Sequence, residues 1–474
     1  VADWQRGYES LETEYSYPIE DIEGEIPTTL MGTLFRNGPG RLELNGTRFH
    51  HPFDGDGMVC AITFRNGTAH FRNRFVRTEG FVAESAAGKI LYRGVFGTQR
   101  PGGWLANAFD LKPKNIANTS VLYWGERLLA LWEGGLPHEI NPATLETLGL
   151  STVGNLLSAS DPWSAHPRID PGRDGAAPRL INFSVKTGLS TQITVHELDQ
   201  QNELVQKKVF DIPGFAFIHD FAITPHYYIF FQNPVALNPF PFVLGWRGAG
   251  QCIAFKANQP TRIWVVPRAE GKVQVLDTAA CFVFHHANAY EEGEALVIDS
   301  ICYTQFPTLD PDTDFRQVDF NALPEGQLWR FRANLVAQTV ETETLTQRCC
   351  EFPTLNPSWV GQPYRFVTMG TAHEMQGNAP LQAVTKLDLH SGIQATWSAA
   401  PHGFVGEPLF VPKPGATAED EGWILDWIYN AQNHRTDVVI LDAQALEQGP
   451  ITVLPLKHHV PYGLHGCFTH QIFE

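Results

Sequence analysis

The sequence of 474 residues contains no run of 18 or more apolar residues, and no basic segment followed by an apolar stretch opens it. A membrane-spanning helix and a cleaved secretory signal are therefore not expected. Positive charge is scarce: 34 Lys and Arg stand against 51 Asp and Glu, a net charge of −17. Such a surface repels phosphate backbones and disfavours acidic ligands, so nucleic acid is not an expected partner. The seven cysteines are few and odd in number, unlike the dense, even set of a secreted disulfide scaffold. Adjacent Cys349 and Cys350 are expected as buried thiols in a reducing compartment. No Gly-x-Gly-x-x-Gly fingerprint is present to hold a flavin or nicotinamide. These absences describe a cytoplasmic protein, soluble or attached to a membrane only at its surface.

What is present is core material and turns. Hydrophobic residues make up 43% of the chain, aromatic residues 12% and charged residues only 18%, enough for a large folded core. The 41 Gly and 33 Pro suit a chain that reverses often. Long helical periodicity is hard to find, whereas Trp423 to Tyr429 and Ala295 to Ile301 read as buried strands. A faint repeat organises the whole. Strand-like segments run into an Asn or Asp, turn, and resume at Asn66, Asn141, Asp199, Asn258, Asn334, Asp388 and Asp442. The intervals are 75, 58, 59, 76, 54 and 54 residues, each long enough for about four short strands, the content of one propeller blade. Length alone would suggest roughly three domains. No linker interrupts the series, so the expectation is an all-β, seven-bladed β-propeller forming one domain over residues 1–474.

Chemistry enters with the histidines. His219, His285 and His465 follow apolar runs, and His166 lies in Trp163-Ser164-Ala165-His166-Pro167. An imidazole in such surroundings needs a partner for its nitrogens. His166, His219, His285, Glu351, Glu407 and His465 come 25, 20, 27, 17, 19 and 23 residues after successive turn positions. Each blade from the second onward thus delivers one polar residue at a similar depth, and the innermost strands of a propeller converge on its axis. Four imidazoles meeting there make a metal site. Neutral imidazoles suit zinc, copper, iron or nickel, and calcium or magnesium would want oxygen. A tetrahedral zinc site made of four histidines would be closed, while an octahedral arrangement leaves two positions for O2 and substrate. Iron(II) is favoured on that ground, with zinc as the alternative. Glu133, Glu351 and Glu407 stand in apolar or tight-turn contexts and are candidate acceptors for the second N–H of a metal-bound histidine.

The motifs that surround these residues resemble the carotenoid cleavage oxygenase family, and within it the cyanobacterial apocarotenoid oxygenase branch. They run from Phe35-Arg36-Asn37-Gly38-Pro39-Gly40 and His51-Pro52-Phe53-Asp54-Gly55-Asp56-Gly57-Met58 through Lys114-Asn115-Ile116-Ala117-Asn118-Thr119. Ala165-His166-Pro167, Phe217-Ile218-His219-Asp220-Phe221, Phe284-His285-His286-Ala287-Asn288-Ala289, Gly406-Glu407-Pro408 and Val460-Pro461-Tyr462-Gly463-Leu464-His465-Gly466 complete the set. The resemblance implies a propeller capped by a dome of loops and short helices over an axial iron(II). It implies that His166, His219, His285 and His465 are the ligands, with His286 a neighbour only. Glu133, Glu351 and Glu407 would accept from His219, His285 and His465, leaving His166 without a carboxylate. Thr119 would crowd one open metal position. Cys467 departs from the Ser or Thr common in similar sequences and touches no proposed ligand.

The implied reaction is cleavage of a conjugated double bond by O2 into two aldehydes, with an apocarotenal or apocarotenol cut at its central 15,15′ bond to give retinal. Trp132, Phe217 and Tyr303 are candidates for the wall of a polyene tunnel. The uncharged stretch from Pro234 to Trp246 is too short and broken to span a bilayer but long enough to dip into one leaflet. Cleavage of a stilbene or another carotenoid bond, iron-dependent retinoid isomerisation, a zinc hydrolase and a non-catalytic binding propeller are the competing readings.

Overall fold

In the computed structural model, which describes residues 3–173, 175–309 and 312–474, seven antiparallel sheets of four to six strands follow one another around a ring. Strands with apolar residues on both faces form where sheets pack against one another. Gly422–Asn430 is buried at every position but its last, and Ala295–Tyr303 at every position but its first. Each sits inside its sheet, flanked by Arg435–Asp442 and by Phe282–Glu292 respectively. The ring closes by pairing its ends: Gly466–Thr469 adds to Gly32–Arg41, and Glu23–Gly24 adds to Pro450–Pro455. Closure removes the open edge that a chain of sheets would otherwise expose.

Six of the seven turn positions join the third and fourth strands of a blade. Asn66, for example, lies between Asp56–Arg65 and Thr68–Phe75, and Asp388 ends Leu381–Asp388 ahead of Gln394–Ser398. Asn258 is a correction. It precedes Thr261–Pro267, the third strand of its blade, and the true outer turn connects that strand to Gln274–Thr278. The displacement comes from an insertion between the second and third strands, which carries the small hairpin of Val235–Leu237 with Ile253–Phe255 and the helix Phe240–Val243.

Short helices and loops cover one end of the ring. The helix Glu79–Ala87 is fixed by a buried charge network: Lys114 Nζ meets both Asp56 and Glu84, and Arg41 pairs with Asp56. Removing one member would strand a desolvated charge, the costly way to break such a network. Two of the sequence motifs are thus joints between cap and propeller. No helix among the described residues is long and apolar enough to cross a membrane. The seven cysteines are all free, and six, including Cys349 and Cys350, are buried.

Candidate metal centre

The residue delivered at the start of each innermost strand gives the site its order. Thr119 immediately precedes Ser120–Trp124, His465 immediately precedes Gly466–Thr469, and His166 and His219 stand two and three residues ahead of Arg168–Asp170 and Ala222–Ile223. His285 lies within Phe282–Glu292, Glu351 within Cys350–Thr354, and Glu407 between Gly403–Phe404 and Leu409–Pro412. Thr119 therefore fills the blade that the histidine and glutamate series left empty. Glu133 comes from elsewhere, just past the second strand Arg127–Leu131.

Strict alternation sends neighbouring side chains to opposite faces of a strand, so an axial side chain inside a strand needs a break in the ladder. Val283 opposes Cys302 and His286 opposes Ser300, which leaves Phe284 and His285 together against one residue. This bulge re-aims the strand, and both Phe284 and His285 line the same cavity. A second bulge between Glu351 and Thr354, with Phe352 at φ 53°, brings Glu351 and Phe352 to that cavity too. His286 instead turns to the sheet, its Nδ1 2.7 Å from Ser300 Oγ. The His465 segment is threaded between two other strands: Asn37 N–H donates to His465 O at 3.0 Å and His465 N–H to Thr119 O at 3.1 Å. A Cβ at Gly463 would collide with the Arg36 guanidinium, so glycine leaves that side chain its place.

The four imidazole rings cluster together. His166 Nε2 and His219 Nε2 are 2.9 Å apart, close to the roughly 3.0 Å separation of two nitrogens bound at right angles to one ion at about 2.1 Å. One ring nitrogen each from His166, His219 and His285 lies within 4.8 Å of the others. His465 is outside that trio but joins it by its ring, 4.5 Å from the ring of His166 and 5.0 Å from that of His285. His285 Nε2 is buried without a hydrogen-bond partner, an expense that a metal ion would relieve. Burial and the neighbouring imidazoles hold His166 well below its ordinary pKa, in the neutral form that can donate a lone pair.

Behind three of the rings stand carboxylates. Glu133 Oε2 is 2.7 Å from His219 Nδ1, Glu351 Oε2 2.6 Å from His285 Nδ1, and Glu407 Oε2 2.5 Å from His465 Nδ1. A carboxylate there keeps the proton on Nδ1 and frees Nε2 for an ion. The three are not equally fixed. Glu351 also accepts from Tyr303 OH at 2.7 Å and from Phe352 N–H at 2.7 Å, and Glu407 from Gly466 N–H at 2.9 Å, while the Glu133 side chain is 31% exposed. An all-nitrogen donor set with acceptors behind it fits a transition metal, not calcium or magnesium.

The His166 ring packs against those of His219, His285 and His465, and these three line a cavity of about 440 Å³, within the range of small-molecule sites. Thr119, Trp132, Phe217 and Tyr303 all line it. The hydroxyl of Thr119 is held by Asn118 Oδ1 at 3.1 Å. Phe284, Phe306, Phe352 and His51 line it as well and were not anticipated from the sequence. Phe284 and Phe352 owe their positions to bulges, which alternation cannot forecast. His51 packs edge-on against Phe53 and at a tilt against Phe96, and burial pushes its pKa down to about 3, so it presents a neutral ring.

Beside Leu237, which also lines the cavity, the surface is apolar. Phe240 and Trp246 are 72% and 55% exposed, and Trp104, Leu105, Phe109 and Leu111 are 51%, 72%, 75% and 54% exposed. The two groups are stitched together. Phe109 N–H donates to Val243 O at 2.8 Å, and Arg93, lying over the Phe242 ring, donates to Asn107 O, Asp110 O and Arg247 O. The segment from Gly103 to Leu111 is a part of this surface that the sequence reading missed.

Comparison with known proteins agrees with this architecture. The model of the retinal pigment epithelial membrane protein family matches residues 8–470. The chain is similar to the apocarotenoid-15,15′-oxygenase of Synechocystis sp., with 55% identity over 469 residues, 98% of this chain and 96% of that relative. It is 30% identical to the chloroplastic carotenoid cleavage dioxygenase 7 of Oryza sativa subsp. japonica, covering 95% of this chain and 88% of the other. A crystal structure of cobalt-substituted Synechocystis ACO superposes with a TM-score of 0.97 at 54% identity, over 99% of this chain and 98% of that one.

Proposed function

This chain belongs to the retinal pigment epithelial membrane protein family and is a carotenoid cleavage oxygenase, and from that premise we propose that it cuts the central 15,15′ double bond of an apocarotenal or apocarotenol, giving retinal and a second aldehyde. The observation that carries this reading is the cluster of four imidazoles, three of which line an aromatic cavity and are backed by carboxylates. The likeness to an apocarotenoid oxygenase over almost the full chain supports the choice of substrate class.

In this reading His166, His219, His285 and His465 hold one iron(II), and residues 1–474 act as a single catalytic domain. Bound there, iron(II) supplies the redox chemistry toward O2 that the side chains lack. The stoichiometry is closed: one alkene and one O2 give two carbonyls, so neither an external reductant nor a proton donor is consumed. The chain contributes positioning and shelter. Trp132, Phe217, Phe284 and Phe306 form apolar walls along which an extended polyene can lie, and holding one double bond at a fixed place supplies the orientation a bimolecular step would have to find by chance. Glu133, Glu351 and Glu407 fix tautomer and direction for three of the ligands. Thr119 narrows the space beside the metal position.

The exposed apolar surface around Phe240, Trp246, Leu105 and Phe109 supports attachment to one leaflet, and Leu237, three residues before Phe240, already belongs to the cavity wall that would receive a lipid-soluble substrate. The test is product analysis. Iron-loaded protein incubated with an apocarotenal should release retinal under O2 and nothing under argon, with one O2 consumed per alkene. Turnover under argon would point to isomerisation or hydrolysis and overturn the oxidative reading. Cleavage of a stilbene in preference to the apocarotenal would overturn the substrate class.

A further inference from the structure

Resting on the reading of the histidines as metal ligands, we propose that the Arg168–Asp220 pair is a positioning unit that sets the mutual spacing of the His166, His219 and His285 segments. Three of the four ligand rings have a carboxylate from another blade to hold them, but those hydrogen bonds do not tie the His166, His219 and His285 segments to one another. Arg168 and Asp220 do. Asp220 follows His219 directly, Arg168 lies two residues after His166, and both close on His286, the residue after His285.

The contacts are specific. Asp220 Oδ2 accepts from His286 N–H at 2.8 Å and from Arg168 Nη2 at 2.6 Å, while Oδ1 accepts from Phe221 N–H at 2.7 Å. Arg168 also donates from Nη2 to His286 O at 2.8 Å and from Nε to Phe221 O at 2.9 Å. Both backbone groups of His286 are therefore held by the pair, at the bulge that turns His285 toward the axis. The Asp220 side chain is 1% exposed and that of Arg168 19%. The guanidinium fork meets acceptors from two other blades at once, a geometry a point-charge ammonium cannot reproduce.

A shift of a few tenths of an ångström between blades would degrade a site whose donors must share one ion, so loss of the pair should appear as weakened metal binding. Asp220→Asn cannot satisfy the existing donors. Whichever way its amide turns, an NH2 group faces either Phe221 N–H or the His286 N–H and Arg168 together. Arg168→Lys retains the charge and loses the fork. Glu197→Gln is the matched control, because Glu197 is an equally buried acid paired with Arg268 away from the histidine cluster.

The experiment measures the dissociation constants of iron(II), by anaerobic chelator competition, and the visible absorption of the cobalt(II) form, alongside the melting temperature of the metal-free proteins. Asp220→Asn should bind iron(II) about 10- to 100-fold more weakly than the wild type, with displaced cobalt bands, and Arg168→Lys should change in the same direction. Glu197→Gln should lower the melting temperature yet keep wild-type affinity and spectrum. Wild-type affinity and spectra in both Asp220→Asn and Arg168→Lys would overturn the proposal, as would an equal loss of affinity in Glu197→Gln. A wild type that binds neither ion would instead sink the metal reading beneath it.

Discussion

Replacing Tyr303 with Phe isolates one hydrogen bond on which the His285 arm of the site depends. The Tyr303 hydroxyl donates to Glu351 Oε1 at 2.7 Å, whereas His285 Nδ1 and Phe352 N–H both use Oε2. Removing one oxygen atom leaves Oε1 of a buried carboxylate without its tyrosine donor, with no change in ring packing. A hydrogen bond to a charged group contributes about 1.5–3 kcal/mol, which converts at about 1.4 kcal/mol per tenfold to a ceiling of roughly 10- to 100-fold if all of it were expressed in metal affinity. Because the His285–Glu351 contact itself survives, the expected loss of iron(II) affinity is near the lower end, about tenfold. Thermal melting is a poor assay, since about 2 kcal/mol moves the midpoint of a chain this long by only about 2 °C. Anaerobic iron(II) titration of Tyr303→Phe against the wild type reads the effect directly. Unchanged affinity would show that Tyr303 acts only as cavity wall and that Glu351 needs no third donor.

Other substitutions probe other parts of the account. His219→Ala should lose iron loading and turnover together, measured by metal analysis and retinal release; a variant that retains both refutes its assignment as a ligand. His286→Asn, altering a side chain bonded to Ser300 and not to the axis, should retain bound iron, checked by the same analysis. Phe240→Asp combined with Trp246→Asp should reduce sedimentation with phospholipid vesicles at least tenfold while leaving cleavage of detergent-dispersed substrate intact, and undiminished vesicle binding would remove the apolar surface as the membrane contact. Asp426 gives a pH prediction. Burial pushes its carboxyl up to about 7, against donation from Trp427 and Gly406 N–H and the nearby Arg36. The folded protein then holds a proton that the unfolded chain releases near its ordinary value of 3.8, so stability falls as pH rises between about 4 and 7. Asp426→Asn keeps the acceptor and places an amide where Oδ2 lacks a partner; its melting temperature should vary less over that window, and an unchanged slope would assign the dependence to another group.

The propeller was legible because its signal is repetitive: a turn residue and an axial polar residue recur once per blade. The reading slipped where the repeat is interrupted. The insertion carrying Phe240–Val243 moved the apparent fourth turn to Asn258, although the outer turn lies after Pro267. The histidines were legible because an imidazole beside an apolar run is conspicuous, and Thr119 was identified by its motif before its place in the series was visible. Phe284 and Phe352 escaped because bulges put two consecutive residues on one face. Arg168 and Asp220 escaped for another reason. Both look like ordinary charged residues, and only the closed ring brings them to the backbone of His286.

Iron-edge X-ray absorption together with anomalous diffraction from crystals of the iron-loaded protein asks the central question without reference to turnover. The account predicts one iron per chain at the meeting point of His166, His219, His285 and His465, with four nitrogen neighbours at bonding distance. Iron bound at any other place, or a first shell lacking any one of these four imidazoles, would contradict it.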